Sequence, residues 1–224
     1  MTTAEKDLCI AIAKCANRGV RPCDKIACVQ SNCVIKQLPE PWNGHLYTAK
    51  IMFISSNPSI DCEEHFPNAS WADNDICDFF DNRFTYGKKL KNGTKAPVSY
   101  WNQLIKYTNI INTVTGGMYF NGILPLANRN NKWDYSVLAP YIVSVEIVHC
   151  KSKGERGLSK KCKDFCTNQW LKKIISLFSG DLIVIVGSKA QAYELTIKKW
   201  VGSSKKVITA PHPRTNKTFI PALP

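Results

Sequence analysis

The chain lacks any apolar run of the ~20 residues that a membrane-spanning helix requires, which argues against a membrane protein. Met1 to Lys14 mixes charges into a short helical pattern and does not read as a secretory leader. Together these absences predict a cytoplasmic protein, or a nuclear one in a eukaryote. Internal repeats and low-complexity tails are missing, so 224 residues with 44% apolar content suit a single domain with a full core. Residues 1–48 are expected to form a cysteine-rich segment packed on that domain, and no sequence feature calls for more than a monomer. Acidic residues are scarce: 17 Asp and Glu face 30 Lys and Arg, a formal charge of +13. A protein this basic commonly meets a polyanion, above all nucleic acid. The alternative is a basic surface that serves only solubility.

Cysteine, by contrast, is abundant. Ten residues stand at 9, 15, 23, 28, 33, 62, 77, 150, 162 and 166. A reducing compartment argues against a disulfide framework, which leaves metal binding as the expectation. Cys62 and Cys77 stand apart and read as packing residues.

Apolar patterning divides the rest of the chain. Residues 4–17 read as a short amphipathic helix and 18–48 as loop. Lys50–Ser55 is a buried strand, 73–83 a helical stretch, and Tyr100–Thr113 a helix broken by Gly116 and Gly117. The region from about 118 to 140 reads as an insertion. Tyr141–His149 is a β-branched strand, Ser159–Phe178 an amphipathic helix, and Asp181–Val186 the clearest strand. Gly187 and Ser188 turn that strand into a helix over 189–199, and Lys206–Thr209 is a last strand. Strands alternating with helices predict an α/β fold, a three-layer α/β/α arrangement around a mainly parallel four-stranded sheet. Ligands of such sheets bind beyond the carboxyl ends of the strands. That rule marks Ser55–Ser59, Glu146–Cys150, Gly187–Ala190 and Pro211–Arg214 as site walls.

Those walls resemble the signature positions of the uracil-DNA glycosylase superfamily. Ser55-Ser56-Asn57-Pro58-Ser59 is similar to its first motif, with serines at the two usual glycines. His212-Pro213-Arg214 is similar to its last motif, and Gly187-Ser188-Lys189-Ala190 to the turn between them. Cys150 and Cys166, sixteen residues apart, match the later cysteine pair of the iron–sulfur, family 4-like class, and Cys28 and Cys33 stand in for the earlier pair. The earlier pair is separated by four residues where the class has two, so Cys23 is an alternative ligand, as is Cys162.

The resemblance implies a monofunctional DNA glycosylase that flips a damaged base out of single- or double-stranded DNA. The enzyme would hydrolyse the N-glycosidic bond and leave an abasic site, holding a [4Fe-4S] cluster on Cys28, Cys33, Cys150 and Cys166. Four thiolates equally suit zinc. Cleavage of such a bond needs a positioned water and stabilisation of two developing charges. The resemblance gives the water to Asn57 and a hydrogen bond to the departing base to His212. Asn-Pro also favours a turn for its own sake. Ser55, Ser56, Phe84 and Glu146 would bind the base, with Phe84 as stacking platform, although Phe66 and Tyr86 compete and each of the three also suits the core. Ser188, Lys189, Arg214, Asn216 and Lys217 would contact DNA. A side chain near Arg214 would offset the few kcal/mol that base flipping costs.

Glu146 falls where the superfamily carries an asparagine that reads the base edge. An ionised carboxylate only accepts hydrogen bonds, so it opposes the O4 atom of uracil. The expectation is a substrate other than plain uracil, such as a deaminated purine or modified cytosine; the alternative is a Glu146 that faces solvent. Lys151, Lys153, Arg156, Lys160, Lys161 and Lys163 form a basic run suited to phosphates or to a solvated helix face. Two other functions compete: a non-catalytic, metal-stabilised lesion sensor of the same fold, and an unrelated zinc protein with a Rossmann-like sheet.

Overall fold

Strands of this chain are apolar on both sides, and the architecture follows from that. The computed structural model describes residues 1–30, 33–119, 135–212 and 218–221; for residues 27–29 it describes the backbone alone. The strands are β1 (Ile51–Ser55), β2 (Lys88–Lys89), β3 (Lys95–Ala96), β4 (Ile142–Glu146), β5 (Leu182–Val186) and β6 (Lys206–Ala210). The helices are α1 (Thr3–Ala13), α2 (Asp24–Val29), α3 (Asp73–Asp81), α4 (Arg83–Tyr86), α5 (Ser99–Val114), α6 (Lys160–Cys166), α7 (Lys172–Leu177), α8 (Ser188–Gln191) and α9 (Glu194–Val201).

β4, β1, β5 and β6 lie side by side in that order, all parallel, while β2 and β3 form a separate antiparallel ribbon. The protein is therefore of the α/β class. Every residue of β1, β4 and β5 is buried, as a parallel sheet covered on both faces demands. Alternate residues enter different cores. Met52, Ile54, Val143, Val145, Ile183 and Ile185 pack with Ile12 of α1, Phe80 of α3, Ile174 of α7 and Ile197 of α9. Ile51, Phe53, Ile142, Leu182, Val184 and Val186 pack with Phe84 of α4 and with Trp101, Leu104 and Ile111 of α5. Among the described residues no helix is long and apolar enough to cross a membrane.

The structure departs from the pattern reading at several ends. The helix expected over 159–178 spans 160–177 but carries a π turn at Thr167–Leu171 between α6 and α7. There Thr167 Oγ1 donates to Lys163 O at 2.7 Å and Asn168 Nδ2 to Asp164 O at 2.9 Å, side-chain bonds that compete with the regular helical ladder. The second strand stops at Glu146, short of His149. Ile147 N and Val148 N instead donate to Ser55 O (2.8 Å) and Ser56 O (3.0 Å), following the loop beyond β1. Cys150 consequently sits beyond the strand and does not close it. Within the stretch read as loop, α2 forms, and Asn43 bridges to Ser144 of β4. Gly44 follows that bridge with φ of +98°; a Cβ there would stand 2.8 Å from both Ile142 O and the Phe84 ring. Most of the insertion, residues 120–134, lies outside the described residues.

Candidate functional site

Parallel strands end on the same side of a sheet, so residues far apart in sequence meet there. Ser55 and Glu146 are register partners on neighbouring strands. Gly187 N donates to Ala210 O at 2.9 Å, holding the turn after β5 against the end of β6. The loop Ser55–Ser59, Glu146, Gly187–Lys189 and His212 line a single cleft of about 900 Å³.

Asn57 is held at both ends of its amide. Its Nδ2 donates to Cys150 O and, at 3.4 Å, to Val148 O; its Oδ1 accepts from Ser152 Oγ at 2.6 Å. The bonds on both ends agree on which end is oxygen, so the amide has one orientation. One lone pair of Oδ1 goes to Ser152 and a second is left for a ligand. Ser152 N also donates to Pro58 O at 3.0 Å, which stitches the loop after β4 to the loop after β1.

His212 borders the same cleft from the far side. It approaches so closely because Gly187 has no side chain: a Cβ on Gly187 would lie 3.2 Å from His212 Cβ and Cδ2, and its φ of +83° is one that glycine adopts freely. Ser188 and Lys189 line the cleft, and Lys189 pairs with Glu155 of the loop after β4. Arg214, Asn216 and Lys217 lie outside the described residues.

Glu146 points into the protein, not into solvent. It is buried, and its Oε2 accepts from Ser55 Oγ at 2.6 Å. Burial pushes its carboxyl up to about 8, Ser55 opposes the shift, Glu40 adds to it and Lys151 opposes it. Around it lie polar atoms that are buried without a partner: Ser56 Oγ, Asn43 Oδ1 and the hydroxyl of Tyr100. That hydroxyl faces Ser55 and Ser144 without a hydrogen bond of ordinary geometry, and burial raises its pKa. All three residues line the cleft. Buried polar atoms left unsatisfied are uncommon, and here they face a space that a ligand can fill.

Three sequence expectations are corrected. Phe84 is fully buried, stacked edge-on against Trp101 with centroids 5.2 Å apart, and does not line the cleft. The aromatic side chains that do are Tyr100 and Trp101 at the start of α5. Tyr100 was legible only as a residue of a helix; its place at the cleft depends on how α5 packs. Lys151 is no phosphate contact. It is buried over the Phe66 ring, 3.6 Å from the centroid, between Glu64 (3.2 Å) and Glu40 (3.4 Å). Glu64 also pairs with Arg83, whose guanidinium lies over Phe79 and Trp101. Burial would raise the Glu64 pKa, but Lys151 and Arg83 outweigh it and hold it below the usual range. Of the remaining basic residues, Lys153, Arg156, Lys160 and Lys161 are exposed and Lys163 is half-buried.

The third correction concerns sulfur. Cys33 forms a disulfide with Cys62, so its thiolate is not free to hold a metal. The side chain of Cys28 lies outside the described residues. Cys23 is the N-terminal cysteine that meets α6: its Sγ is 3.1 Å from Cys162 Sγ, and Cys166 follows one turn along that helix. Hydrogen bonds from Cys162 and Cys166 hold Cys23 well below the ordinary thiol range. Buried Cys150 senses the charge of Cys23 and Cys162, and burial pushes its thiol up to about 12. Thiolates sharing one zinc at 2.3 Å stand about 3.8 Å apart, so this triad is drawn together as a hydrogen-bonded set. Among the described residues no group of three or more His, Cys, Asp or Glu is spaced to hold an ion. Cys23, Cys150, Cys162 and Cys166 are buried free cysteines, the donor type that zinc or an iron–sulfur group takes.

Comparison with protein-family models gives no match to this chain, and comparison with curated proteins gives no related sequence.

Proposed function

We propose that the protein is a monofunctional DNA glycosylase that binds a flipped base in the cleft and hydrolyses its N-glycosidic bond. One observation carries this reading: the Asn57 amide and the His212 imidazole, 155 positions apart in sequence, border one cleft whose floor holds unsatisfied polar atoms. Asn57 Oδ1, oriented by Ser152 and by the carbonyls of Val148 and Cys150, uses its remaining lone pair to hold the attacking water. His212 donates to the base as negative charge grows on it. The ring of Tyr100 supplies the stacking surface that Phe84 does not. Fixed donors and acceptors of this kind stabilise developing charge without reorganising during the reaction. The surplus of basic residues supports DNA as the partner.

The decisive experiment is a base-release screen on single-stranded oligonucleotides carrying uracil, hypoxanthine or cytosine lesions, followed by alkali cleavage. Release by the wild type is expected, with a loss of ~10²-fold in Asn57→Ala, the scale of removing one preorganised polar group. Wild-type protein that binds these strands and releases nothing would favour the second reading, a lesion-binding protein without catalysis. The bond from Ser152 to Asn57 Oδ1 favours that second reading, since it ties the amide into the fold.

A thiolate-bound group, [4Fe-4S] or zinc, is part of the proposal. Cys23, Cys150, Cys162 and Cys166 would hold it, and it would tie the N-terminal segment to α6. Cys23→Ser and Cys166→Ser are expected to lose bound iron and visible absorbance, whereas Cys33→Ser keeps both. Metal analysis and absorption spectra of the purified proteins check this; equal metal content in all three variants would point to another ligand set.

A further inference from the structure

We infer that the β2–β3 ribbon is a clamp for the sugar–phosphate backbone of the strand that enters the cleft, gripping phosphates through Lys89, Lys91 and Lys95. The inference rests on the reading of the cleft as a nucleic-acid site, and not on the step that releases a base.

The ribbon is a built element and not a loose charged loop. Lys88 pairs with Ala96 and Lys89 with Lys95 in antiparallel register. Leu90 N closes the turn by donating to Thr94 O at 2.8 Å, and Asn92 Oδ1 accepts from Thr94 N at 3.0 Å and from Thr94 Oγ1 at 2.7 Å. Gly93 completes that turn with φ of +86°. The chain after β1 fastens the ribbon to the body: His65 N donates to Lys89 O and Lys91 N to Glu63 O, each at 2.8 Å, on either side of the Glu64–Leu90 bridge. The base of the ribbon borders the cleft, through Lys88 on one strand and Pro97, Val98 and Ser99 after the other.

Side chains alternate between the two faces of a strand. Lys88, Leu90 and Ala96 are half-buried, whereas Lys89, Lys91 and Lys95 are exposed. Lys88 is paired with Asp61 at 2.6 Å; among the described residues no carboxylate pairs with the other three, Glu63 on the adjoining segment included. Lys89 and Lys95 stand directly opposite each other. Like charges in that position destabilise a strand pair, and an isolated two-stranded ribbon has little stability to set against the repulsion. A polyanion laid across this face turns the repulsion into attraction and gives up its condensed counterions. Lysines hold phosphates as point charges, so the grip is on the backbone and depends little on sequence.

The test is the salt dependence of binding to a fluorescein-labelled single-stranded oligonucleotide, followed by anisotropy. Lys89→Gln, Lys91→Gln and Lys95→Gln combined in one chain are expected to lower the log–log slope of affinity against salt by about 2, at roughly 0.7 per phosphate contact on single strands. Lys50→Gln, Lys172→Gln and Lys199→Gln make the same change of charge at exposed positions outside the cleft, and this variant is expected to keep the wild-type slope. An unchanged slope in the ribbon variant overturns the inference. So does an equal fall in both variants, because net charge would then be its source. Lys95→Glu separates lost phosphate contacts from a ribbon that has come apart. It sets an opposite charge across from Lys89, so its urea midpoint should equal or exceed that of the wild type while its affinity falls. A lower midpoint, or binding as tight as the wild type's, overturns the inference too. Absence of salt-dependent binding in the wild type overturns the nucleic-acid reading of the cleft itself, an outcome distinct from wild-type binding whose slope the ribbon variant leaves intact.

Discussion

Lys151→Met is expected to lower the unfolding free energy by about 3–5 kcal/mol, the range for removing one partner from a buried charge cluster. The ammonium group lies between Glu40 and Glu64 with almost no exposure. Methionine fills the stem's place over Phe66 but leaves Glu64 with Arg83 alone and takes from Glu40 its one ion-pair partner among the described residues. A loss of that size is a large part of the 5–15 kcal/mol that domains usually have, so the variant would sit near the limit of folding. Urea denaturation at neutral pH measures it as a lower midpoint with an unchanged slope. The pH dependence identifies the cause. Glu64 is held below its unfolded value, so its pairing stabilises the wild type above that value and is lost as pH falls. The gap between Lys151→Met and wild type should therefore narrow in acid. Adding Glu64→Gln to the variant should recover part of the loss; a double variant as unstable as the sum of the singles would show that the carboxylate was not the problem.

Glu146→Gln is expected to act in the opposite direction, raising stability in alkali by about 5 kcal/mol. The ordinary value of the group is 4.5 and burial lifts it to about 8. Between those two values the unfolded chain has released this proton while the folded protein still holds it. Folding stability thus falls with rising pH at up to about 1.4 kcal/mol per unit, and the contribution is spent above pH 8. Glutamine has nothing to ionise, so its stability curve should run parallel to the wild type below pH 4.5 and diverge above it. Denaturant midpoints from pH 4 to pH 9 check this without any substrate. Parallel curves throughout would mean that Glu146 ionises at the ordinary carboxylate value.

Both effects come from side chains whose surroundings no local pattern reveals. Lys151 opens a basic run in which Lys153, Arg156, Lys160 and Lys161 are exposed. Its charge, spacing and neighbours in sequence are those of a surface residue. Glu40 and Glu64 come from segments before and after β1, and only folding brings them to it. The cysteines follow the same logic. The family resemblance singled out Cys150 and Cys166, whereas the pairing of Cys33 with Cys62 and the approach of Cys23 to Cys162 span 29 and 139 positions. Phe84 and Tyr100 differ in role because Gly44 packs against one and the cleft opens beside the other.

Sequence alone determined the α/β class, the buried strands and the ends at which a site must lie. Apolar alternation and glycine turns are local, and a parallel sheet puts all its carboxyl ends on one side. Tertiary structure alone decided which polar groups are stripped of water and which partners they keep. Burial and pairing set the charge state of a carboxyl or thiol, and both depend on segments that the chain order keeps apart.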